Sequence, residues 1–469
     1  MIWLRLFISL ALPSAGGYLF ISWALDGKDR PGPVERVILG FGAGAGLLAL
    51  EIFIIGLIGL PFSFSLAAAV FILLALPFLF LRRMHPGAGQ NPGHTAGANN
   101  RQGAFMVALA AALFLWIGLK TGFVLYEGFN RPIVSLDAWW NWSSGAKFFY
   151  YSRGLVLDPS NEHFFGSTYR PFLGYPILNS LLQVWVSLAL GTFHEAMAKA
   201  WAPIYFIGVV WLVFFAIRRE AGFLPALLTA FFLSTAPLLT YHAVDAYSDL
   251  PLSFYVLAGS IFLWRHMEGG GAREAAISGL FFSVGAFTKN EGLVYLAAAW
   301  LALLGHSVFE GRSLRPVAYF TASALLYLSP WLLFKASYGL GYGHGYGLGT
   351  QADIAGGVKW VSSAHLEVIG VFFKELFLTA NHSFVFHFLA LSTVLAFGSI
   401  VRSKIKYLYF IVIFMVVVFL LNYTLTEDYR YVLDRSAVNR NALTFLPLAF
   451  FIAGLLSSRA LKGPGAHEK

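Results

Sequence analysis

Apolar residues run along most of this chain in uninterrupted stretches about as long as a membrane crossing, and polar residues come in short bursts between them. A helix needs roughly 20 apolar residues to cross the hydrocarbon core. On that measure the pattern predicts thirteen spans, at 2–25, 34–58, 61–81, 104–126, 195–217, 223–241, 250–265, 275–287, 293–306, 317–335, 381–400, 405–423 and 441–456. The first has the look of a signal peptide with a cleavage region at 13–17, but its apolar run continues to Leu25, so it reads as a retained span. A further apolar segment, 175–190, has only sixteen residues and reads as a surface or re-entrant helix; the alternative is that it crosses. Two stretches break the pattern. The Gly/Asn-rich segment 82–101 has no apolar periodicity and reads as a linker. Segment 127–174 has mixed polarity and cannot lie in lipid, where irregular backbone would leave N–H and C=O groups unpaired. The expected architecture is an all-α integral membrane protein: a polytopic helical bundle of about 13 transmembrane helices whose outer loops carry short interfacial helices. Its expected units are accessory N-terminal helices at 1–81, a cytoplasmic linker at 82–103 and the main transmembrane module at 104–469.

Composition agrees. Of 469 residues, 58% are apolar and only 12% charged, too little charge to cover a soluble domain of this size. The net charge of +9 is no nucleic-acid signature, because the basic residues sit in short clusters between apolar runs, as the positive-inside rule expects. Arg82/Arg83, Arg218/Arg219, Arg265/Arg273, Arg312/Arg315, Arg402/Lys404/Lys406 and Arg459/Lys462 are thereby placed in the cytoplasm, provided 175–190 does not cross. The other face receives 127–174, the Asp245/Asp249 turn, the Lys289/Glu291 turn, 338–380 and 424–440, and nearly all acidic residues outside the termini and basic loops. Function is expected there. With no cysteine in the chain, disulfides, thiolate metal sites and a Cys nucleophile are excluded.

Four constellations on that face carry chemistry. In LDAWWNWSSGAKFFY, Asp137 follows a span, and Trp139, Trp140 and Trp142 suit the headgroup level. Asp137 is either a capping residue beside an aromatic belt or a general base at the membrane surface. In TYHAVDAYSDLPLSFY, Asp245 and Asp249 are four residues apart with His242 nearby. Together these residues could ligate a divalent cation or tune one carboxylate as a base; alternatively Asp249, ahead of Leu-Pro, caps a helix. In GAFTKNEGLVY, Lys289 and Glu291 either snorkel at the interface or, for Lys289, offer a point charge to a phosphate. In NYTLTEDYRYVLDRSAVNRNALTFLP, Arg430, Arg435 and Arg440 lie on the face where the positive-inside rule disfavours them. They suit bidentate phosphate binding, Arg440 best because it opens the last span; the alternative is pairing with Glu427, Asp428 and Asp434.

An acid in a long first outer loop, a Tyr-x-Asp-Leu-Pro turn, a Thr-Lys-x-Glu-Gly turn, and a late Arg-bearing loop before a final span with Leu-Pro together resemble the GT-C glycosyltransferases. Within them the pattern is similar to the family-39-like bacterial enzymes related to protein mannosyltransferases and lipid A aminoarabinose transferases. The resemblance covers about 104–456 and makes 104–469 a GT-C-like glycosyltransferase module. It implies transfer of a sugar from a polyprenyl-phosphate donor to a lipid, glycan or protein acceptor on the extracytoplasmic face, in a bacterial inner membrane. Asp137 matches the family's first-loop acid, Asp245 and Asp249 its second-loop acid, and Lys289 and Arg440 its phosphate-binding cations. The family's adjacent acidic pair is missing, since Ala138 follows Asp137, so two alternatives follow: Asp137 acts alone or with Asp245. A divalent ion held by Asp137 and Asp245 is one way to stabilise the leaving phosphate, and basic side chains are the other. Two rival readings stand beside this one. A flippase of lipid-linked sugars would show repeats and charge at mid-membrane, and a glycan ligase or polymerase would use a longer lipid-linked donor on a similar scaffold.

Overall fold

The computed structural model describes residues 1–25, 31–84, 103–155, 175–338 and 360–462. Most of the 82–103 linker and residues 156–174 of the first outer loop lie outside them. Among the described residues the chain is helical, with no β-strand beyond an isolated bridge between Trp360 and Thr426. This is what lipid imposes, because a helix satisfies its backbone internally.

Among the described residues, ten helices are long and apolar enough to cross a membrane, and the chain is an integral membrane protein. They are α1 (Ile2–Ala24), α2 (Pro33–Leu57), α3 (Phe64–Met84), α4 (Ala104–Asn130), α8 (Trp201–Ala221, continuous with the short α7, Glu195–Ala198), α13 (Glu291–Phe309), α14 (Arg315–Ser337), α16 (Val385–Arg402), α17 (Ile405–Leu425) and α19 (Val438–Lys462). A bent pair, α9 (Phe223–Ser234) and α10 (Pro237–Ala243), breaks by 69° and makes up to eleven. The expected thirteen included two more segments, now α11 (Asp249–Met267) and α12 (Ala272–Thr288), which fall short on apolarity or length. The physical reason is position. Helix α11 is buried along nearly its whole length by neighbouring helices, so it can carry serines and charges that a lipid-facing helix cannot. Helix α4 is the opposite case, mostly lipid-facing, with only Leu113, Ile117, Val124 and Gly128 buried.

The remaining helices are α5 (Ser144–Ser152), α6 (Leu178–Leu190), α15 (Glu367–Leu378) and α18 (Tyr429–Leu433). All thirteen residues of α6 are buried. Helix α4 ends and α8 begins at the same end of the bundle, where Lys199 Nζ donates to Gly128 O at 3.1 Å. Helix α6, which lies between them in sequence, therefore makes no net crossing. It braces the loops at that end instead: Asn179 Nδ2 donates to Ala246 O (2.8 Å) and Ser180 Oγ to Trp142 O (2.8 Å).

The leading helices are packed into the bundle. Helix α2 is buried on most sides, and Tyr255 of α11 and Tyr327 of α14 donate to its Gly42 and Gly46 carbonyls at 3.0 and 2.8 Å. Helices α1 and α2 meet backbone to backbone: a Cβ on Gly44 would run into Pro13 O, and one on Gly17 into Gly40 O. Gly40 and Gly44 form a G-x-x-x-G pair, the small-residue device that lets helices approach closely in lipid. At the end opposite α6, buried Glu35 of α2 binds Arg219 of α8 (2.7 Å) and Arg265 of α11. This triad locks three helix ends together. A Gly44→Leu substitution must push α1 off α2 and is expected to lower stability by roughly 1–3 kcal/mol, read as a lower thermal midpoint in detergent; an unchanged midpoint would contradict the close packing.

Candidate active site

Five chain segments deliver charge to one place at the α6 end. Asp137 follows α4, Asp249 opens α11, Lys289 ends α12, Glu291 opens α13 and Arg440 lies in the first turns of α19. Arg440 is the hub. Its Nη1 hydrogen-bonds Asp137 Oδ2, its Nη2 lies 3.4 Å from Asp249 Oδ2, and its guanidinium sits 4.9 Å over the Tyr247 ring. Asp249 Oδ1 then accepts from Lys289 Nζ at 2.9 Å, and Lys289 Nζ meets Glu291 Oε1 at 2.7 Å. The result is one continuous chain of alternating charge, Asp137–Arg440–Asp249–Lys289–Glu291.

Burial grades this chain. Asp249 is fully buried and Lys289 nearly so, whereas the Asp137 side chain is 33% exposed. A buried ion cluster survives only if each charge is paired, and here each has an opposite neighbour. Burial alone would push the Lys289 ammonium down, but Asp249 and Glu291 outweigh it and hold its pKa above the ordinary value, so Lys289 stays charged. Burial raises the Tyr247 phenol to about 12, which keeps that ring neutral beneath Arg440. Helices α11, α13 and α19 all start here, so three helix N-termini add positive potential to the cluster.

The backbone just after Asp137 is a wide π-turn, Ala138–Ser143, the kind of irregularity that recurs at functional sites. It buries Trp142 and leaves Trp139 and Trp140 exposed, their rings 5.8 Å apart. His242 is buried and stacked on Tyr247 (4.3 Å between centroids), with Nδ1 3.7 Å from Asp249 Oδ2 and neither nitrogen hydrogen-bonded among the described residues.

The sequence expectations divide accordingly. Asp137, Asp249, Lys289, Glu291, His242 and Arg440 come together. Asp249 is no helix cap, because its carboxylate is spent on Lys289 and Arg440, and Lys289 does not snorkel, because it is buried. Asp245 does not join them. Its Oδ2 accepts from Ser135 N (3.0 Å) and Ser135 Oγ (2.5 Å), and its Oδ1 from Ala246 N (2.8 Å). A carboxylate so saturated is a brace for the loop that carries Asp137, and Ser135 Oγ continues the brace to Tyr241 at 2.8 Å. The pair named for a divalent ion therefore points at different partners, and among the described residues no group of three or more His, Asp or Glu is arranged to hold a metal. Arg435 and Arg430 are also elsewhere. Arg435 is 63% exposed and reaches Glu375 of α15 (3.5 Å); Arg430 is exposed beside the Tyr429 ring. Trp139 leans on Trp140 rather than on the ion chain.

Three contributors escaped the sequence reading. Tyr247 lies inside the Tyr-x-Asp-Leu-Pro turn, so its signal was present. Glu375, which accepts from Asn439 Nδ2 at 2.7 Å and so steadies the turn bearing Arg440, and Lys199, whose Nζ also donates to Val244 O at 2.5 Å, gave no local signal.

This helical membrane bundle, with a short buried α6 and an ion cluster at one end, has a fold shared with solved membrane-protein structures. The particular likeness is to ArnT from Cupriavidus metallidurans, whose structure bound to undecaprenyl phosphate aligns with a TM-score of 0.52 at 14% identity, over 75% of this chain. Its apo structure aligns at 0.50 with the same identity and coverage. The chain spans 60% of the length of those structures. No family model and no curated protein matches by sequence.

If Asp245 is a brace, Asp245→Asn turns an NH₂ group toward donors and should cost roughly 1–3 kcal/mol of stability, seen as a lower thermal midpoint. An Asp245→Asn protein that keeps its wild-type midpoint would refute the brace.

Proposed function

We propose that this chain is a membrane glycosyltransferase that moves a sugar from a polyprenyl-phosphate donor to an acceptor hydroxyl at the extracytoplasmic face of a bacterial inner membrane. The observation that carries the reading is the Arg440–Asp249–Lys289 cluster with a partly exposed Asp137 at its rim, set at one membrane end of a GT-C fold. The neighbour's bound undecaprenyl phosphate supports a polyprenyl-linked donor.

The chemistry follows from the charges. A phosphate already leaves well, so it needs stabilisation of developing charge more than a proton. Arg440 and Lys289, desolvated and oriented by Asp249 and Glu291, supply that. Asp137 takes the proton from the acceptor O–H as its oxygen bonds to the anomeric carbon. The carbon–oxygen bond to phosphate breaks, its electron pair goes to the phosphate oxygen, and polyprenyl phosphate leaves. A single displacement of this kind inverts the anomeric centre. The site's position at the bilayer edge lets the prenyl tail stay in lipid while the sugar meets water.

Two observations support the orientation and the class. The opposite end carries Arg219, Arg265, Lys404 and Lys406, the basic side that the positive-inside rule places in the cytoplasm. The ion cluster lies at helix termini rather than at mid-membrane, which favours an interfacial enzyme over a flippase. Feeding mono- and oligosaccharide lipids to the reconstituted protein separates a monosaccharide transferase from a ligase or polymerase.

In proteoliposomes with a polyprenyl-phosphate sugar, Asp137→Asn is expected to cut turnover by about 10²-fold or more, the usual worth of a general base. Turnover within a few-fold of wild type would remove Asp137 from that role. In the same assay Arg440→Ala should raise the donor concentration needed for half-maximal rate, and an unaltered donor dependence would remove Arg440 from the phosphate site.

A further inference from the structure

We infer that Asp137 and the donor phosphate compete for Arg440, so that the base is held back until the donor is bound and helps to expel the lipid phosphate afterwards. This rests on the reading above and adds to it the order in which the site works.

The argument starts from charge balance. Three carboxylates, Asp137, Asp249 and Glu291, face two cations, Arg440 and Lys289. The cluster is already over-neutralised without a ligand. A phosphodiester donor adds another negative charge, and like charges crowded around two buried cations repel strongly. One carboxylate must give way. Asp249 is fully buried and held by both cations, and Glu291 is held by buried Lys289. Asp137 is hydrogen-bonded to Arg440 alone among these cations, is a third exposed, and sits where a loop turns into a π-turn. It is the carboxylate that can leave.

Arg440 is built to keep its place during the exchange. Nη2 stays with Asp249, Tyr247 supports the face of the guanidinium, and Asn439, one residue before it, is tied on both sides. Asn439 Nδ2 donates to Glu375 Oε2 at 2.7 Å, and its Oδ1 lies 3.0 Å from His382 Nε2. Meanwhile Arg440 Nε is buried with no acceptor among the described residues. A buried guanidinium N–H left without an acceptor is costly, and it marks a place for an anion oxygen. A phosphate oxygen that takes Nη1 makes the charge-assisted hydrogen bond that a guanidinium favours, and Nη1 is the donor Asp137 then vacates.

The proton completes the cycle. Released Asp137 is free to accept the acceptor's proton. Once protonated it is neutral and cannot compete for Arg440, so the polyprenyl phosphate stays until the proton is lost to water. The returning carboxylate then retakes Nη1 and weakens the hold on the product.

The test is binding of a polyprenyl monophosphate to the purified full chain in nanodiscs, with the matching polyprenol as uncharged control. Asp137→Asn removes the competitor and should bind the monophosphate about tenfold tighter than wild type, a modest fraction of what close charge pairs are measured to contribute, with polyprenol binding unchanged. Asp137→Ser gives a second variant should the first fold poorly. Equal or weaker monophosphate binding in a folded variant would overturn the exchange while leaving Asp137 as base. Retained turnover in Asp137→Asn with tighter phosphate binding would instead uphold the exchange and overturn the base.

Discussion

The guanidinium of Arg440 bridges Asp137 and Asp249, and the rest of the site is arranged so that this bridge can exist inside a membrane protein. A lone cation at that depth would cost several kcal/mol in lost solvation. It is tolerated because Asp249 shares its charge with Lys289, Lys289 shares its own with Glu291, and Tyr247 covers the guanidinium face. The cluster is therefore costly to bury and is held together by its internal pairing.

The scaffold serves that bridge. Helix α6 is too short to cross and is wholly buried, and it holds both the π-turn after Asp137 and the turn before Asp249. Asp245 and Lys199 pin the approach to Asp137 from two directions, through Ser135 and Gly128. At the far end the Glu35 triad ties α2, α8 and α11. Helix α11, which runs from Asp249 to Arg265, thus carries a charged lock at each end, and its position is defined along its axis. That rigidity leaves the exposed rim, Asp137, as the part of the ion chain that is free to move.

Much of the fold was legible in the chain because lipid is a simple solvent. It demands helices of a set length, and it sorts basic residues to one side, so most spans and the clustering of charge between them could be read from the chain. Helices α11 and α12 lie in the protein interior, where helix–helix contact replaces lipid and the hydropathy signal fades. The non-crossing nature of 175–190 was likewise readable only as a pair of alternatives, until the meeting of α4 and α8 decided it.

Sequence by itself determined that this is a helical membrane protein in which most acids outside the basic loops, and three arginines, fall between spans away from the basic clusters, and it picked out Asp137, Asp249, Lys289 and Arg440 by their setting beside spans. Only the tertiary structure decided which partner each carboxylate meets. Asp245 and Asp249 look alike four residues apart, yet one is saturated by backbone and hydroxyl donors and the other by two cations. Of three arginines spaced by five, one enters the cluster and two stay outside. The reason is that hydropathy is a property of neighbours along the chain, whereas the role of a charge depends on which opposite charge it meets. Here that partner comes from residues as far as 303 positions away.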